Sequence, residues 1–146
     1  MDRHQKVTLT NMCMLQVGDQ VLTLNRTDPV WPGLTFPGGH VDLGESIHDS
    51  VVREMQEETG LTISDPQLVG IKEFNDDEDC RYLVFFYVAH HYTGKLQASA
   101  EGKLAWQPLA TLDQQVLASD FEHDLPIFTN PQLSEHFWWH GHNQTV

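Results

Sequence analysis

The chain begins with segments whose residue pattern predicts β-strands. Residues Lys6–Leu15 and Gln20–Leu24 are rich in β-forming residues and are separated by Val-Gly-Asp, which suits a tight turn, so we expect a hairpin. Leu34–Phe36 is a short apolar run that stops at Pro37-Gly38-Gly39. Glycine lets the backbone approach a neighbouring group closely. This predicts a short strand followed by a glycine-rich segment that can approach another group closely.

A helix of about four turns is predicted between Ser46 and Gly60. Ser46 is a good N-cap residue, and Asp49 lies three positions on, in the place of a capping-box acid. Gly60 suits the left-handed position that ends a helix. At roughly 100° per residue, the apolar side chains form one stripe: Ile47, Val51, Val52 and Met55.

The second half of the chain continues with strands and then helices. QLVGIKEF (67–74) and RYLVFFYVAHHY (81–92) predict a hairpin around the polar NDDED, and KLAWQPL (103–109) predicts a further strand. Apolar spacing is helical over 111–117 and 121–128, and we expect 134–146 to be a tail with an aromatic cluster. The order of elements predicts an α/β (α+β) fold, with a mixed β-sheet sandwiched between α-helices.

Composition limits the domain count and the compartment. With 146 residues, 40% of them hydrophobic, we expect a single domain over residues 1–146. No run of about 18 apolar residues and no signal-peptide block is present, so we expect a cytoplasmic protein without a membrane partner. Cys13 and Cys80 lack the spacing of a disulfide framework or a zinc site and are expected to be free thiols.

Charge narrows the class of ligand. The formal net charge is −13, with eight Lys and Arg residues in total. Polymeric nucleic acid is an unlikely partner for such a chain, because phosphate-backbone binding needs a basic face. A small phosphorylated ligand is still compatible with it, since carboxylates can collect divalent cations that then hold the anion.

The helix concentrates acidic side chains at its C-terminal end, at Glu54, Glu57 and Glu58. A solvated helix face is the ordinary explanation for such a run. Two observations weigh against it: acids there oppose the helix dipole, and neighbours at this spacing repel one another. The arrangement becomes favourable if Mg²⁺ or Mn²⁺, which prefer oxygen ligands, sit among the carboxylates. Arg53 and Glu45 could orient them, although a simple surface ion pair is the favoured explanation when that pair is taken alone.

The spacing of these residues resembles a known signature. Gly39, Glu45, Arg53-Glu54-Met55, Glu57-Glu58 and Gly60-Leu61 match every defined position of the Nudix box, which here covers residues 39–61. The chain is therefore similar to the Nudix hydrolase superfamily, and it looks most like the MutT-type branch. The resemblance implies a mixed β-sheet between helices and hydrolysis of a nucleoside diphosphate linked to another group.

The resemblance also implies roles for individual residues. Glu54, Glu57, Glu58 and the Gly38 carbonyl would bind Mg²⁺ or Mn²⁺, with Arg53 and Glu45 as the orienting pair. A general base would come from the box, where Glu57 lies, or from a later loop. Glu101 matches that later glutamate, and an ordinary turn residue is its equal alternative.

Substrate binding is assigned to residues outside the box. MutT-type relatives read the purine edge with a polar residue before a proline near the C-terminus, and Asp124 occupies that place. Helix capping is an alternative for Asp124, and Asp120 is its nearest competitor. Arg26 is the preferred phosphate contact. His40 stands where many relatives carry Lys, so one phosphate contact becomes pH-dependent or is lost.

The expected reaction is Mg²⁺-dependent hydrolysis of a nucleoside triphosphate to the monophosphate and pyrophosphate, with an oxidised purine such as 8-oxo-dGTP as leading substrate. Alternatives are another diphosphate (ADP-ribose, a nucleotide sugar or a dinucleoside polyphosphate) and a non-catalytic nucleotide sensor. The apolar patch Phe137–Trp139 must be covered by the chain's own core or by a second subunit, so a monomer or a homodimer is expected.

Overall fold

The computed structural model describes residues Met1–Val146. Two α-helices are present, α1 (Ile47–Thr59) and α2 (Phe121–Thr129), together with a 3₁₀ helix at Leu109–Gln114. No helix combines the length and the apolar character needed to cross a membrane. The strands are β1 (Val7–Val17), β2 (Gln20–Arg26), β3 (Gly33–Thr35), β4 (Gly38–His40), β5 (Leu61–Ser64), β6 (Gln67–Asn75), β7 (Arg81–Ala89), β8 (His91–Gly94), β9 (Gly102–Pro108), β10 (Glu135–Trp139) and β11 (His142–Thr145).

The main sheet has the strand order β11-β10-β6-β7-β1-β2-β3, with β4 paired to β1 and β9 paired to β2. The pairs β1–β7 and β6–β10 are parallel, while the other pairs of this sheet are antiparallel. β5 and β8 form a separate antiparallel ribbon. The sheet is therefore mixed, as the sequence predicts.

Alternation along β1 divides the core into two layers, because successive strand side chains point to opposite faces. Met12 and Met14 belong to the cluster that contains Phe121 and Phe128 of α2. Cys13 and Leu15 belong to the cluster that contains Val51 and Met55 of α1. Helices thus cover both faces of the sheet, which confirms the predicted architecture.

Helix α1 begins and ends where its sequence predicts. The backbone N–H of Asp49 donates to Ser46 Oγ at 3.0 Å, which is the expected N-cap contact. Gly60 has φ 79°, and its N–H donates to the Gln56 carbonyl. Val51 and Met55 on the apolar stripe are fully buried.

The glycine-rich segment after Pro37 forms the short strand Gly38–His40, because β1 pairs with it over Thr10–Met12. Two local expectations were wrong. The 81–92 run is two strands, β7 and β8, since β8 leaves the main sheet to pair with β5. Helical structure expected over 111–117 is a 3₁₀ turn that ends at Gln114.

The C-terminal segment corrects the expectation of a tail. Residues 135–145 form a β10–β11 hairpin, and β10 adds to the edge of the sheet in parallel with β6. Phe137 and Trp139 stack on each other with centroids 5.9 Å apart. Arg81 covers Trp139, with its guanidinium carbon 5.0 Å from the ring centroid. Part of the apolar patch is therefore covered by the chain itself.

Strand β1 changes partner along its length. It pairs with β4 over Thr10–Met12 and with β2 at Gln16 and Val17, while β7 lies along its other side over Val7–Leu15. The two branches separate near Met12, which lines a cleft of about 580 Å³. The site described below lies at β4, between this cleft and helix α1.

Candidate active site

Arg53 lies at the centre of an acidic cluster on α1. Its guanidinium donates to both oxygens of Glu45, from Nε to Oε2 at 2.8 Å and from Nη2 to Oε1 at 3.0 Å. Nη1 donates to Glu54 Oε1 and to Glu57 Oε2, each at 3.0 Å. Nη2 also donates to the His40 carbonyl at 2.9 Å. The planar guanidinium of Arg53 therefore connects Glu45, before the helix, with two box carboxylates and with β4.

The Glu54 carboxylate packs directly against the backbone of Gly39. A Cβ atom at Gly39 would overlap the carboxylate carbon and both oxygens of Glu54. Gly39 does not have a positive φ. The glycine is therefore required by space rather than by backbone conformation, and it brings β4 into contact with the acidic side chain.

Asn11 holds β4 in place from the other side. Its Oδ1 accepts the Gly39 N–H at 3.2 Å, and its Nδ2 donates to Ser50 Oγ at 2.9 Å. Asn11 is buried, and Ser50 donates in turn to the Ile47 carbonyl at 2.6 Å. This bridge fixes β1, β4 and α1 relative to one another. Sequence reasoning missed it, although a polar residue inside the apolar run NMCML was a signal.

Glu58 and Glu101 meet through Ser99. Ser99 Oγ donates to Glu58 Oε2 at 3.1 Å and accepts the backbone N–H of Glu101 at 3.1 Å. Sequence analysis did not single out Ser99. The loop before β9 is thereby held against the C-terminal end of α1, so Glu101 lies beside the box carboxylates.

The crowding of the carboxylates and their contacts with Arg53 shift their pKa values in opposite directions. Burial and the nearby charges of Glu57 and Glu101 raise the pKa of Glu54 despite its hydrogen bond to Arg53. Burial and the charge of Glu101 likewise raise the pKa of Glu58. The hydrogen bonds from Arg53 lower the pKa of Glu45. Ionisation is thus favoured at Glu45 and disfavoured at Glu54 and Glu58, and of the last two only Glu54 has a cationic partner, Arg53.

The donor set fits a hard divalent cation. Glu54, Glu57 and Glu58 each use one oxygen in a hydrogen bond within the chain, which leaves the other oxygen available as a ligand. Gly38, the fourth residue assigned to the metal, lies opposite Met12 in β4. All four offer oxygen, which Mg²⁺ and Mn²⁺ prefer. Glu54 and Glu57 contact Arg53 and Glu58 contacts Ser99, and the ligand atoms of the three carboxylates do not all lie within 4.8 Å of one another.

The cleft opens next to this cluster, and Gly38, Gly39 and His40 line it. Its walls carry five aromatic side chains and three acids. Phe74 and Tyr82 stack with centroids 4.8 Å apart. Such walls suit a planar ring. The other aromatic and acidic residues of the walls are Trp31, Phe36, Trp138, Asp28, Asp76 and Asp120.

Arg26 lines the cleft but already has acidic partners. Its Nη2 lies 3.2 Å from Asp28 Oδ2, and its Nη1 lies 3.6 Å from Glu101 Oε2. Its Nε donates to the Trp31 carbonyl at 3.0 Å, and its guanidinium carbon lies 5.1 Å from the Trp31 ring centroid. The side chain therefore connects the cleft wall to Glu101.

The structure does not bring Asp124 to the cleft wall. Its carboxylate is fully buried in α2, where Oδ2 accepts from Lys72 Nζ at 3.1 Å and Oδ1 lies 2.6 Å from His136 Nδ1. The expectation that Asp124 contacts a base directly is corrected accordingly. Asp120 and Lys72 do line the cleft. Local sequence could not reveal this, because the partners of Asp124 come from β6 and β10.

Comparison with known proteins gives a consistent result. A family model described as the NUDIX domain matches residues 7–129. An uncharacterized Nudix hydrolase, YvcI of Bacillus subtilis, is 37% identical over 125 residues, which are 82% of this chain and 78% of that protein. Over shorter stretches, some relatives are named 8-oxo-dGTP diphosphatases and others ADP-ribose pyrophosphatases.

The solved structures agree on the fold. The crystal structure of a MutT protein from Bacillus halodurans has a TM-score of 0.76 and 28% identity, covering 93% of this chain and 94% of its own. Nudix hydrolases generally use a divalent metal such as Mg²⁺. The matched box geometry, the family model and these relatives lead to one conclusion: the chain belongs to the Nudix family, whose hydrolases act on pyrophosphate bonds.

Proposed function

We propose that the protein hydrolyses a nucleoside triphosphate to the nucleoside monophosphate and pyrophosphate, and that its leading substrate is an oxidised purine nucleotide such as 8-oxo-dGTP. The observation that carries the proposal is the contact of Glu54 with Gly39, because Gly39 also lines the aromatic cleft. A nucleotide whose base occupies the cleft would place its phosphates beside the carboxylates. This reaction would sanitise the nucleotide pool.

The carboxylates of Glu54, Glu57 and Glu58 and the Gly38 carbonyl would hold Mg²⁺ or Mn²⁺. When bound, the cation neutralises the diphosphate and lowers the pKa of a ligated water. Arg53 holds Glu54 and Glu57 in fixed orientations, and Glu45 holds Arg53. These positions are set before substrate arrives, so little reorganisation is needed in the transition state.

The chemical step is a displacement at phosphorus. Water attacks as a new P–O bond forms, the anhydride P–O bond between the α and β positions breaks, and pyrophosphate leaves with the electron pair. The water proton passes to a carboxylate, for which Glu101 and Glu57 are the candidates. The candidacy of Glu101 is supported by Ser99, whose Oγ accepts the Glu101 backbone N–H and donates to Glu58 Oε2.

Residues of the cleft would bind the rest of the substrate. Arg26 is the proposed phosphate contact, after exchange of its acidic partners for the ligand. We assign the base-reading role to Asp120 instead of Asp124, because Asp120 lines the cleft and Asp124 does not. We place the protein in the cytoplasm, where free thiols such as Cys13 and Cys80 are typical.

The test is a substrate panel with product analysis, in which 8-oxo-dGTP, the ordinary nucleoside triphosphates, ADP-ribose, a nucleotide sugar and a dinucleoside polyphosphate are compared. The proposal expects the highest kcat/KM for 8-oxo-dGTP, with pyrophosphate as the product. A higher kcat/KM for ADP-ribose would instead identify the protein as an ADP-ribose pyrophosphatase. Binding without turnover of any member would identify a nucleotide sensor.

A further inference from the structure

A buried chain of polar side chains leads from the C-terminal hairpin to the cleft. His136 is fully buried, with Nδ1 2.6 Å from Asp124 Oδ1 and Nε2 2.7 Å from Asn143 Oδ1. Asp124 in turn accepts from Lys72 Nζ. The side chain of Lys72 is 10% exposed, and Lys72 lines the cleft. None of the residues in this chain belongs to the Nudix box.

The ammonium group of Lys72 has unused donors. An ammonium carries three N–H groups and no acceptor. One of them is directed to Asp124, and Nζ lies 5.6 Å from the centroid of the Phe74 ring in the cleft wall. Because Asp124 holds Nζ and Lys72 lines the cleft, the remaining N–H groups are available to a ligand there.

Strand register places Lys72 far from the carboxylate cluster. Lys72 pairs with Val84, Val84 with Thr10, and Thr10 with His40, and all four residues line the cleft. Three interstrand steps of about 4.8 Å separate Lys72 from His40 by roughly 14 Å. Lys72 therefore lies at the opposite end of the cleft from the proposed phosphate site. The aromatic row Trp138, Phe74 and Tyr82 lies next to it, where a base would stack.

We propose that Lys72 is a specificity-determining residue that donates a hydrogen bond to a keto oxygen of the base, so that guanine-type bases are preferred to adenine-type bases. The proposal rests on the proposed function, because it assumes a nucleotide with its base in this cleft. Guanine presents acceptors at O6 and N7, whereas adenine presents an N6 amino donor beside N7. A donor-only side chain matches the first pattern and leaves the N6 donor of the second without a partner. Asp124 and His136 act through Lys72 as positioning residues.

The experiment measures equilibrium binding of dGMP and dAMP, so it does not depend on turnover. Wild type is expected to bind dGMP at least about 10-fold more tightly than dAMP. Lys72→Met should weaken dGMP binding by about 10-fold and dAMP binding by less than about threefold. Lys6→Met is the matched control, because Lys6 is exposed and does not line the cleft, and it should leave both affinities unchanged.

Lys72→Met leaves the buried Asp124 without its cation, so the double variant Lys72→Met/Asp124→Asn is measured beside it. Both should lose the preference for dGMP. Asp124→Asn alone should lower the preference while kcat at saturating substrate is retained. The proposal is overturned if wild type has no preference, if neither nucleotide binds, or if the Lys72 variants keep the preference or weaken both nucleotides equally. Absence of triphosphate hydrolysis by wild type would overturn the proposed function instead, and the dGMP to dAMP ratio would still decide the role of Lys72.

Discussion

The Arg53 guanidinium donates two parallel hydrogen bonds to the Glu45 carboxylate, from Nε to Oε2 at 2.8 Å and from Nη2 to Oε1 at 3.0 Å. The contact joins the segment before α1 to its second turn. Since the same guanidinium also holds Glu54 and Glu57, the position of Glu45 fixes the orientation of two proposed metal ligands.

Glu45→Gln tests this positioning role. The amide keeps the size of the side chain but cannot accept from both Arg53 nitrogens, so we expect kcat to fall by roughly 10–100-fold, since hydrogen bonds to charged groups contribute about 1.5–3 kcal/mol. Asp49→Asn, an exposed acid on the same helix, is the control and should keep the wild-type rate. An unchanged kcat in Glu45→Gln would show that Arg53 needs no anchor.

Gly39→Ala is expected to lower catalytic activity while the protein still folds. The added methyl group overlaps the Glu54 carboxylate, so the side chain or β4 must move, and we expect kcat to fall by about 10-fold or more. Gly18→Ala is the matched control: it has open space but φ 63°, so it should lower stability by about 1 kcal/mol and leave kcat unchanged. If Gly39→Ala is as active as wild type, the contact with Glu54 has no catalytic importance.

Asn11→Ala is expected to lower the free energy of unfolding by about 1–3 kcal/mol, because it leaves the Gly39 N–H and the Ser50 hydroxyl without their buried partner. Urea denaturation measures the change. The exposed Asn25 in β2 offers a control, and Asn25→Ala should stay within about 0.5 kcal/mol of wild type. Equal stability of the two variants would mean that water replaces the bridge.

The stability contributed by His136 should depend on pH. Burial lowers its pKa, but hydrogen bonds to Asp124 and Asn143 and the charge of Asp124 together outweigh burial and the repulsion of Lys72, so the pKa is raised. The imidazolium therefore stabilises the fold at pH values below the unfolded pKa of about 6.5, and this contribution is lost as the pH rises through the higher folded value.

His136→Gln measures this contribution. The group facing His136 from α2, besides Asp124, is His123, with ring centroids 5.4 Å apart. We expect the difference in unfolding free energy between wild type and the variant to be larger at about pH 6 than at about pH 9. His4→Gln, at an exposed position, serves as the control. A difference that is constant with pH would indicate a neutral His136.

The sequence predicts the parts of the fold that depend on local pattern. Ser46 and Gly60 mark the ends of α1 because caps act within one turn, and the strands appear through alternation and β-branched runs. The resemblance to the Nudix box implies the metal-ligand roles of Glu54, Glu57 and Glu58, and their helical spacing agrees with it, since a helix brings neighbours three and four residues apart together.

Features that depend on distant pairing were not predictable. β10 gains its partner from β6, and Asp124 gains Lys72 and His136 from two other strands. The local sequence around an Asp or Glu does not show whether its carboxylate contacts a ligand or a buried cation of the same chain. The same reason explains Ser99, whose importance comes only from its contact with Glu58, 41 residues away.

The central claim, that the α1 carboxylates hold a cation used for anhydride hydrolysis, is tested most directly by Glu57→Gln. Glu57 is 55% exposed, so the variant should fold as wild type does. Pyrophosphate release from 8-oxo-dGTP is measured for both proteins with Mg²⁺ and with a chelator. We expect Mg²⁺-dependent release by wild type and a rate at least about 100-fold lower in the variant. Wild-type release by Glu57→Gln, or release that continues in the chelator, would contradict the account.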